Sequence, residues 1–427
     1  MNITTATNRF KWSLDEERLN TLGKETGLCQ RKRTLTPHRL MLALLDSFAS
    51  GNVKTLADIH RRFNALCGQQ VQYKPFHKQL AKPGFPVFVR ETLTRMLNEL
   101  ATQALQFTPD SPFSRFARIH IQDGTSFALK PALAHVFPGR FGPQNPAAVE
   151  LHVNLDLLCE SPNHIALTPD TAAEIPQLPA PEECHGSLML ADRGYFSKPH
   201  MQAIDAAGGF FLIRGKTNAD VLVERAYRPD GREIRAWRGT RLQDHIAQLP
   251  RYAFVDLDVR FDKRKPDFAC RLVVHSRTGQ KESLRFLFTN LSRDDFTASH
   301  IHDAYRLRWQ IELVFKEWKS YAGLRAFDTA NPHIAEGLIW AALCAAVVKR
   351  FWAHVTQHIA RQPISTQKAA KCIPLVLGDI LRAILLRPQK LLAAAKAAIE
   401  YLANNARRAH PDRDRKTGRL KLGLEYI

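Results

Sequence analysis

Paired cysteines, metal-binding histidine motifs and long apolar runs are all missing from this chain of 427 residues. The seven cysteines (29, 67, 159, 184, 270, 344 and 372) are scattered, odd in number, and never spaced Cys-x-x-Cys. That argues against a disulfide framework or a zinc ribbon. Cys344, inside an apolar stretch, reads as a plain core residue. The 17 histidines show no His-Glu-x-x-His spacing and read as dispersed, some of them near phosphates. The longest apolar run, Gly337 to Val348, is shorter than the about 20 residues that a membrane span needs. Met1 to Leu14 carries no apolar h-region, so no secretory signal is expected. Internal repeats are absent. Negative charge is scarce as well: 41 acidic side chains face 61 lysines and arginines, a formal net charge of +20. Charge of that size says nothing of fold but favours a polyanionic partner. Nucleic acid in the cytoplasm is the expected one.

Along the chain the texture changes several times. Residues 1–108 read as helical and basic. Thr36-Pro37 is a helix start, with proline at the first helical position, and the helix ends by Gly51. Thr55 caps a second helix with Asp58 at its third position, running to Gly68. A short helix is expected over Pro75 to Ala81 and a longer one over Pro86 to Gln106. With Arg61, Arg62, Lys74, Lys78 and Lys82 near the joints, the segment fits a helix-turn-helix DNA reader, or a small helical bundle with a solvated basic surface. Pro109 to Pro112 reads as a linker. Strands are then expected at Phe116 to Gln122, Leu151 to Leu158, His164 to Thr168, Ser187 to Ala191 and Gly209 to Arg214, with a helix over Pro199 to Ala207. This suggests an α/β fold, a mixed sheet with flanking helices. Residues 216–299 depart from that rhythm and read as a β-rich insertion, with strands over Asp220 to Ala226, Tyr252 to Phe261, Phe268 to His275 and Glu282 to Thr289. Residues 300–330 return to the core with one helix. After Leu324 the chain reads as helical to about Asn404, and Arg407 to Ile427 as a basic, flexible tail.

The helix over residues 305–319 carries a charged stripe. At about 100° per residue, Tyr305, Arg308, Glu312, Lys316 and Lys319 fall within an arc of roughly 80°. Leu307, Ile311, Val314 and Trp318 lie opposite, on the face a helix buries. A charged stripe alone is common on surface helices. Here two further acids stand in telling places: Asp123 at the end of the first core strand and Asp192 at the end of the fourth. Two strand ends and an adjacent helix can converge on one point. Carboxylate oxygens suit Mg²⁺ or Mn²⁺, and two such ions serve in-line phosphoryl displacement.

Asp123-Gly124-Thr125, then Asp192-Arg193-Gly194-Tyr195-Phe196, then Tyr305, Arg308, Glu312 and Lys319, resemble the DDE transposases of bacterial insertion sequences. The last four residues match the Tyr-Arg-Glu-Lys signature of the insertion-sequence-four branch. The similarity covers roughly residues 115 to 325. It implies a ribonuclease-H-like catalytic core over 109–215 and 300–330, interrupted by the β-rich insertion, an N-terminal DNA-binding domain over 1–108, and a helical C-terminal region over 331–427. It implies Asp123, Asp192 and Glu312 as catalytic ligands of two Mg²⁺ or Mn²⁺ ions. Tyr305, Arg308 and Lys319, joined by Lys316, would contact phosphates near the scissile bond. Trp309 would stack on a base or simply pack. Trp237 is the lone tryptophan of the insertion, and no motif fixes its role. The implied partners are double-stranded transposon ends and target DNA, with a homodimer pairing two ends. The implied chemistry is cleavage and strand transfer through a hairpin. A nuclease or resolvase without strand transfer, and an inactive DNA-binding repressor, remain the alternatives.

Overall fold

The computed structural model describes residues 1–31, 34–51, 53, 55–263, 267–276, 284–321, 328–411 and 419–427. Six helices come first: α1 Ile3–Ser13, α2 Glu16–Glu25, α3 Pro37–Ala49, α4 Leu56–Cys67, α5 Tyr73–Leu80 and α6 Gly84–Leu100. Thr36 caps α3 as expected, and Thr55 with Asp58 forms a full capping box on α4. Gly68 ends α4 in the left-handed conformation at φ 60°, where glycine carries no Cβ penalty. The expected helix to Gln106 stops instead at Leu100, because β1 (Leu105–Phe107) pairs antiparallel with the far end of the chain, β11 (Leu424–Tyr426).

The other nine strands make one mixed sheet. They are β2 Ile119–Ala128, β3 Ala148–Asp156, β4 Ser161–Pro169, β5 Leu188–Ala191, β6 Phe210–Arg214, β7 Leu222–Tyr227, β8 Phe254–Phe261, β9 Phe268–Ser276 and β10 Leu284–Thr289. The order across the sheet is β4-β3-β2-β5-β6-β10-β9-β8-β7. Only β2–β5 and β5–β6 are parallel. The crossover between β5 and β6 carries α7 (Lys198–Ala206). The strands of the 216–299 segment therefore extend the edge of the same sheet through β10 on β6. The expected start of the last of them, at Glu282, lies outside the described residues.

Alternation along the strands sorts side chains onto two faces. Leu188, Leu190, Leu212, Val273 and Leu287 enter a core shared with the helices. Met189, Ala191, Phe211, Ile213, Leu272, Val274, Phe286 and Phe288 enter a second core with Trp237 and the turns after β7. The helices α8 (Ala298–Arg306), α9 (Trp309–Tyr321), α10 (Pro332–Ala360), α11 (Thr366–Cys372), α12 (Leu377–Leu386) and α13 (Leu391–Asn405) complete the chain. The apolar run Gly337 to Val348 is the buried middle of α10, Cys344 included. Among the described residues no helix is long and apolar enough to cross a membrane. α10 packs against α3 and α6, so helices from the two ends of the chain share one core.

Two expectations need correction. The helix over 305–319 is two helices. Around Leu307 and Arg308 the backbone tightens into i→i+3 hydrogen bonds, Leu307 N–H to Ala304, Arg308 to Tyr305, Gln310 to Leu307 and Ile311 to Arg308, at 2.9–3.2 Å. The C-terminus is not a free tail. Leu420, Leu422 and Leu424 alternate inward and are buried, and Lys421 Nζ meets Asp303 Oδ2 at 2.6 Å. Three leucines at a spacing of two bury enough apolar surface to hold the segment down. Residues 412–418 of that stretch, and the helix start expected after Leu324, lie outside the described residues.

Candidate active site

Strand register brings the two aspartates together. β2 and β5 run parallel, with Ile121 opposite Leu190 and Gln122 opposite Ala191. Asp123 and Asp192 stand one step beyond the last pair. Asp192 keeps an extended backbone (φ −85°, ψ 178°), so both side chains leave the sheet on the Ile121–Leu190 face. Asp123 is not at a strand end as expected: β2 continues to Ala128 because β3 pairs with its full length. What stops at Ala191 is β5, and that opens the space beside Asp123. β6 repeats the pattern, with Ile213 opposite Ala191 and Arg214 next to Asp192, Nη1 to Oδ1 3.6 Å. Arg214 escaped the sequence reading, although a basic residue at the end of the strand after Asp192 was a usable signal.

The third element arrives at the joint between α8 and α9. In a 3₁₀ turn residues i and i+3 eclipse, so Tyr305 and Arg308 point the same way. Tyr305 Oη donates to Asp192 Oδ1 at 3.0 Å. Arg308 Nη1 donates to Asp123 Oδ2, and the same nitrogen lies 3.5 Å from Glu312 Oε1. Asp123 and Glu312, 189 positions apart, thus flank one guanidinium nitrogen. Ile311, Val314, Phe315 and Trp318 anchor the opposite side of α9 in the core. Glu317 fixes the helix further through a buried ion pair with Arg350 of α10 at 2.9 Å, which the sequence did not announce.

Electrostatics differ among the acids. Burial pushes the Asp123 carboxyl up to about 6, against the pull of Arg308 and the Gly124 backbone N–H, with Glu312 and Asp192 adding to the rise. Burial would raise Asp192 too. There the Arg193 backbone N–H, Arg308, Tyr305 and Arg214 prevail and hold it below the usual carboxylate range. Arg308 is raised: burial opposes its charge, but Asp123, Tyr305, Asp192 and Glu312 outweigh it. The guanidinium offsets the mutual repulsion of the acids, as a bound cation would. Hard oxygens from three elements fit Mg²⁺ or Mn²⁺ in kind. Among the described residues no three such groups stand close enough to hold an ion, with Arg308 lying between Asp123 and Glu312.

The motif glycine at 124 has a steric cause. A Cβ there would come within 2.5 Å of Glu150 Oε1 and 3.2 Å of Tyr195 Oη. Glu150 lies on β3, buried on the far face of the sheet, with Arg140 Nη2 at 3.4 Å. Tyr195, from the second motif, shares a 3.2 Å contact with His152 Nδ1. The two aspartate motifs are thereby packed together behind the site.

Of the remaining expected residues, Lys316 is exposed and Lys319 half-buried on α9. Trp309 is 60% exposed. Trp237 is a core residue instead, 2% exposed and stacked on His245 at 4.6 Å. Beside the acids opens a cavity of about 420 Å³, lined in part by Arg214, Arg285, Tyr305, Arg306, Arg308, Trp309 and Lys421.

Residues 114–348 match the family described as Transposase DDE domain. That is more than half of the chain, and the chain belongs to this family. It is similar to the transposase for insertion sequence element IS231E of Bacillus thuringiensis subsp. finitimus, 22% identical over 96% of this chain and 92% of that one. The transposase for insertion sequence element IS1151 of Clostridium perfringens is 22% identical over 73% of this chain and 72% of its own length. A solved piggyBac transposase synaptic complex with hairpin DNA aligns over 98% of this chain and 89% of that one, at 10% identity and a TM-score of 0.46. The protein is a DDE transposase of an insertion sequence.

Proposed function

We propose that this transposase binds the terminal inverted repeats of its element and cuts and joins DNA at the site built by Asp123, Asp192 and Glu312. The observation that carries the reading is the shared guanidinium: Arg308 links Asp123 to Glu312 while Tyr305 holds Asp192. Acids from three remote segments meet at one basic, partly open place. The run β4-β3-β2-β5-β6, an antiparallel trio followed by two parallel strands, supports a ribonuclease-H-like core.

Asp123, Asp192 and Glu312 would hold two Mg²⁺ or Mn²⁺ ions. Bound there, such ions activate the attacking oxygen and offset charge on the leaving one. Water attacks the phosphorus at the element's end, and the bond from phosphorus to the 3′ oxygen breaks. The freed 3′-OH attacks a phosphorus of the opposite strand, giving a hairpin as the flanking DNA leaves with its own 3′-OH; a second water opens the hairpin and restores the element's 3′-OH, which then attacks a target phosphorus and displaces the target's 3′ oxygen. Arg308 and Lys319 grip the phosphate and offset its charge. Tyr305 and Arg214 keep Asp192 ionised and oriented. Lys316 adds a backbone contact and Trp309 a stacking surface.

The segment 1–108 supplies end recognition. Its surface supports this only in part. Arg61 is engaged with Asp58 at 2.5 Å, Arg62 with Asp46 at 3.1 Å and Lys82 with the Leu28 carbonyl at 2.9 Å, which leaves the exposed Lys74 and Lys78 to meet DNA. A homodimer would pair the two ends, in the cytoplasm. The test is purified protein, Mg²⁺ and duplexes carrying the inverted-repeat boundary. Cutting at the boundary followed by joining of the 3′ end to a second duplex is expected. Cutting without joining would make the protein a nuclease, and binding without cutting a repressor.

A further inference from the structure

The buried middle of α10 carries two cations in succession. Lys349 is 3% exposed and Arg350 5%, in a helix that is otherwise apolar from Gly337 to Val348 and again at Phe351, Trp352, Ala353 and Val355. Lysine is almost never fully buried without a partner. Arg350 meets Glu317 Oε2 at 2.9 Å and the carbonyl of Glu160, in the turn between β3 and β4. Lys349 Nζ donates at 2.8 Å to the carbonyl of Tyr321, the last residue of α9. The last carbonyls of a helix have no partner within it, and a cation there also suits the helix dipole. Burial lowers the Lys349 ammonium from 10.5 to about 8, with Glu317 opposing. A charge held in this way costs the fold stability at neutral pH, so the lysine calls for another reason.

We infer that Lys349 is a positioning residue for the carboxylate of Glu312: its bond to the Tyr321 carbonyl fixes the far end of α9 and so sets the rotation of that helix about its axis. Glu312 lies in the first turn of α9, and its side chain is 40% exposed. The helix that bears it, more than packing, therefore decides where its oxygens stand. Side chains reach about 5–6 Å from a helix axis, so a rotation of about 10° moves them about 1 Å. A misplacement of that size can cost about 100-fold in rate. The Glu317–Arg350 pair holds the middle of α9 and Lys349 its end, both from consecutive residues of α10. From α11, Gln367 Nε2 donates to Tyr321 Oη at 3.2 Å and Lys371 stands over the Tyr321 ring at 5.4 Å. The charged and titratable groups around Lys349 are thus Glu317 from α9, Arg350 and His354 from α10, Lys371 from α11, and Glu160 from the turn after β3. Glu317 is the one that supports its charge. The inference rests on the proposed function, since it takes Glu312 to be part of the cutting site. It adds a residue outside the signature, buried away from DNA.

Lys349→Met separates position from scaffold, because methionine keeps an unbranched chain without the charge. End binding in a gel-shift assay should be unchanged, since Lys349 is buried. Cleavage of the end duplex in Mg²⁺ at pH 7 should fall about 10- to 100-fold. The urea midpoint at pH 7, in buffer with chelator, should stay level or rise. Between about 8 and 10.5 the unfolded lysine still holds a proton that the folded one has lost. Stability of the parent therefore rises with pH over that window, and the variant should lack the rise. The parent-to-variant ratio of cleavage rates should shrink as pH passes about 8, because a neutral amine makes the weaker hydrogen bond. Lys349→Gln keeps a donor without the charge. It should cut at an intermediate rate with no step at that pH, and it serves in place of the methionine variant if that one does not fold. Unchanged cleavage by the variants would overturn the inference and leave the proposed function standing. Slow cleavage with a lowered urea midpoint and a rate ratio constant in pH would overturn it too, since Lys349 would then only hold the fold. A parent protein that cuts no end duplex would remove the proposed function and this inference together.

Discussion

Glu150 should destabilise the folded protein at neutral and alkaline pH, and Glu150→Gln should relieve it. The carboxyl lies behind Gly124, 6% exposed as a residue. Burial pushes it from 4.5 up to about 7, Glu174 adds to the rise, Arg140 opposes it, and Asp170 and Asp123 raise it further. The folded state therefore binds a proton that the unfolded chain has already lost between these two values. Below 4.5 both states are protonated and the residue costs nothing. As pH rises through that window to about 7, stability falls, and above it the full cost is present. At 1.36 kcal/mol per tenfold, the span from 4.5 to about 7 corresponds to about 3 kcal/mol. Glutamine keeps the shape without the charge. It forfeits only the contact to half-exposed Arg140 at 3.4 Å, worth little at a wet surface. Urea unfolding at steps from pH 4 to 9, in buffer with chelator, measures the difference. Glu150→Gln should match the parent near pH 4 and exceed it by about 2–3 kcal/mol at pH 8. A constant offset across the range, or a loss of stability at pH 8, would refute the burial argument.

Other perturbations separate catalysis from scaffold. Asp192→Asn should leave end binding nearly intact and abolish cleavage in Mg²⁺; collapse of binding in a gel-shift assay would make Asp192 structural. Arg308→Ala should impair cleavage and make the salt dependence of duplex binding shallower by about 0.9, the slope of one phosphate contact; an unchanged slope would argue against that contact. Glu317→Ala strands the guanidinium of Arg350, both partners being about 5–6% exposed, and should cost about 3–5 kcal/mol, read as a lower urea midpoint. The Glu317→Ala, Arg350→Met double variant should recover part of that loss.

What could be read from the residues followed the reach of local rules. Caps and proline positions announced α3 and α4 because a cap acts within four residues of itself. The core strands were legible from alternation and from the turns that bound them. The three acids were found through a resemblance, with Asp123 and Asp192 expected at strand ends and Glu312 on a helix. Nothing local could show that β2 outlasts β5, because strand length is settled by β3, which pairs with all of β2. Nor could it show Glu150, which sits opposite Ser126 on β3 and reaches diagonally over Gly124. The joint at Leu307–Arg308 was invisible for a related reason. Helical periodicity assumes 100° per residue, and a few i→i+3 bonds undo it without a proline or glycine to mark the place.

That joint decides how the site works. An unbroken helix would set Tyr305 and Arg308 about 60° apart, since three residues at 100° leave that remainder of a turn. The 3₁₀ turn eclipses them, so one aims at Asp192 and the other at Asp123, the two acids that strand register has already placed side by side. Glu312, one α-helical turn beyond Arg308, then reaches the same guanidinium from its own helix. The spacing of the Tyr-Arg-Glu-Lys residues is thus met by two helical geometries in succession, three residues of 3₁₀ followed by four of α. A one-residue insertion at 307 would keep every side chain and lose the convergence. Its consequence would be loss of cleavage with the fold retained.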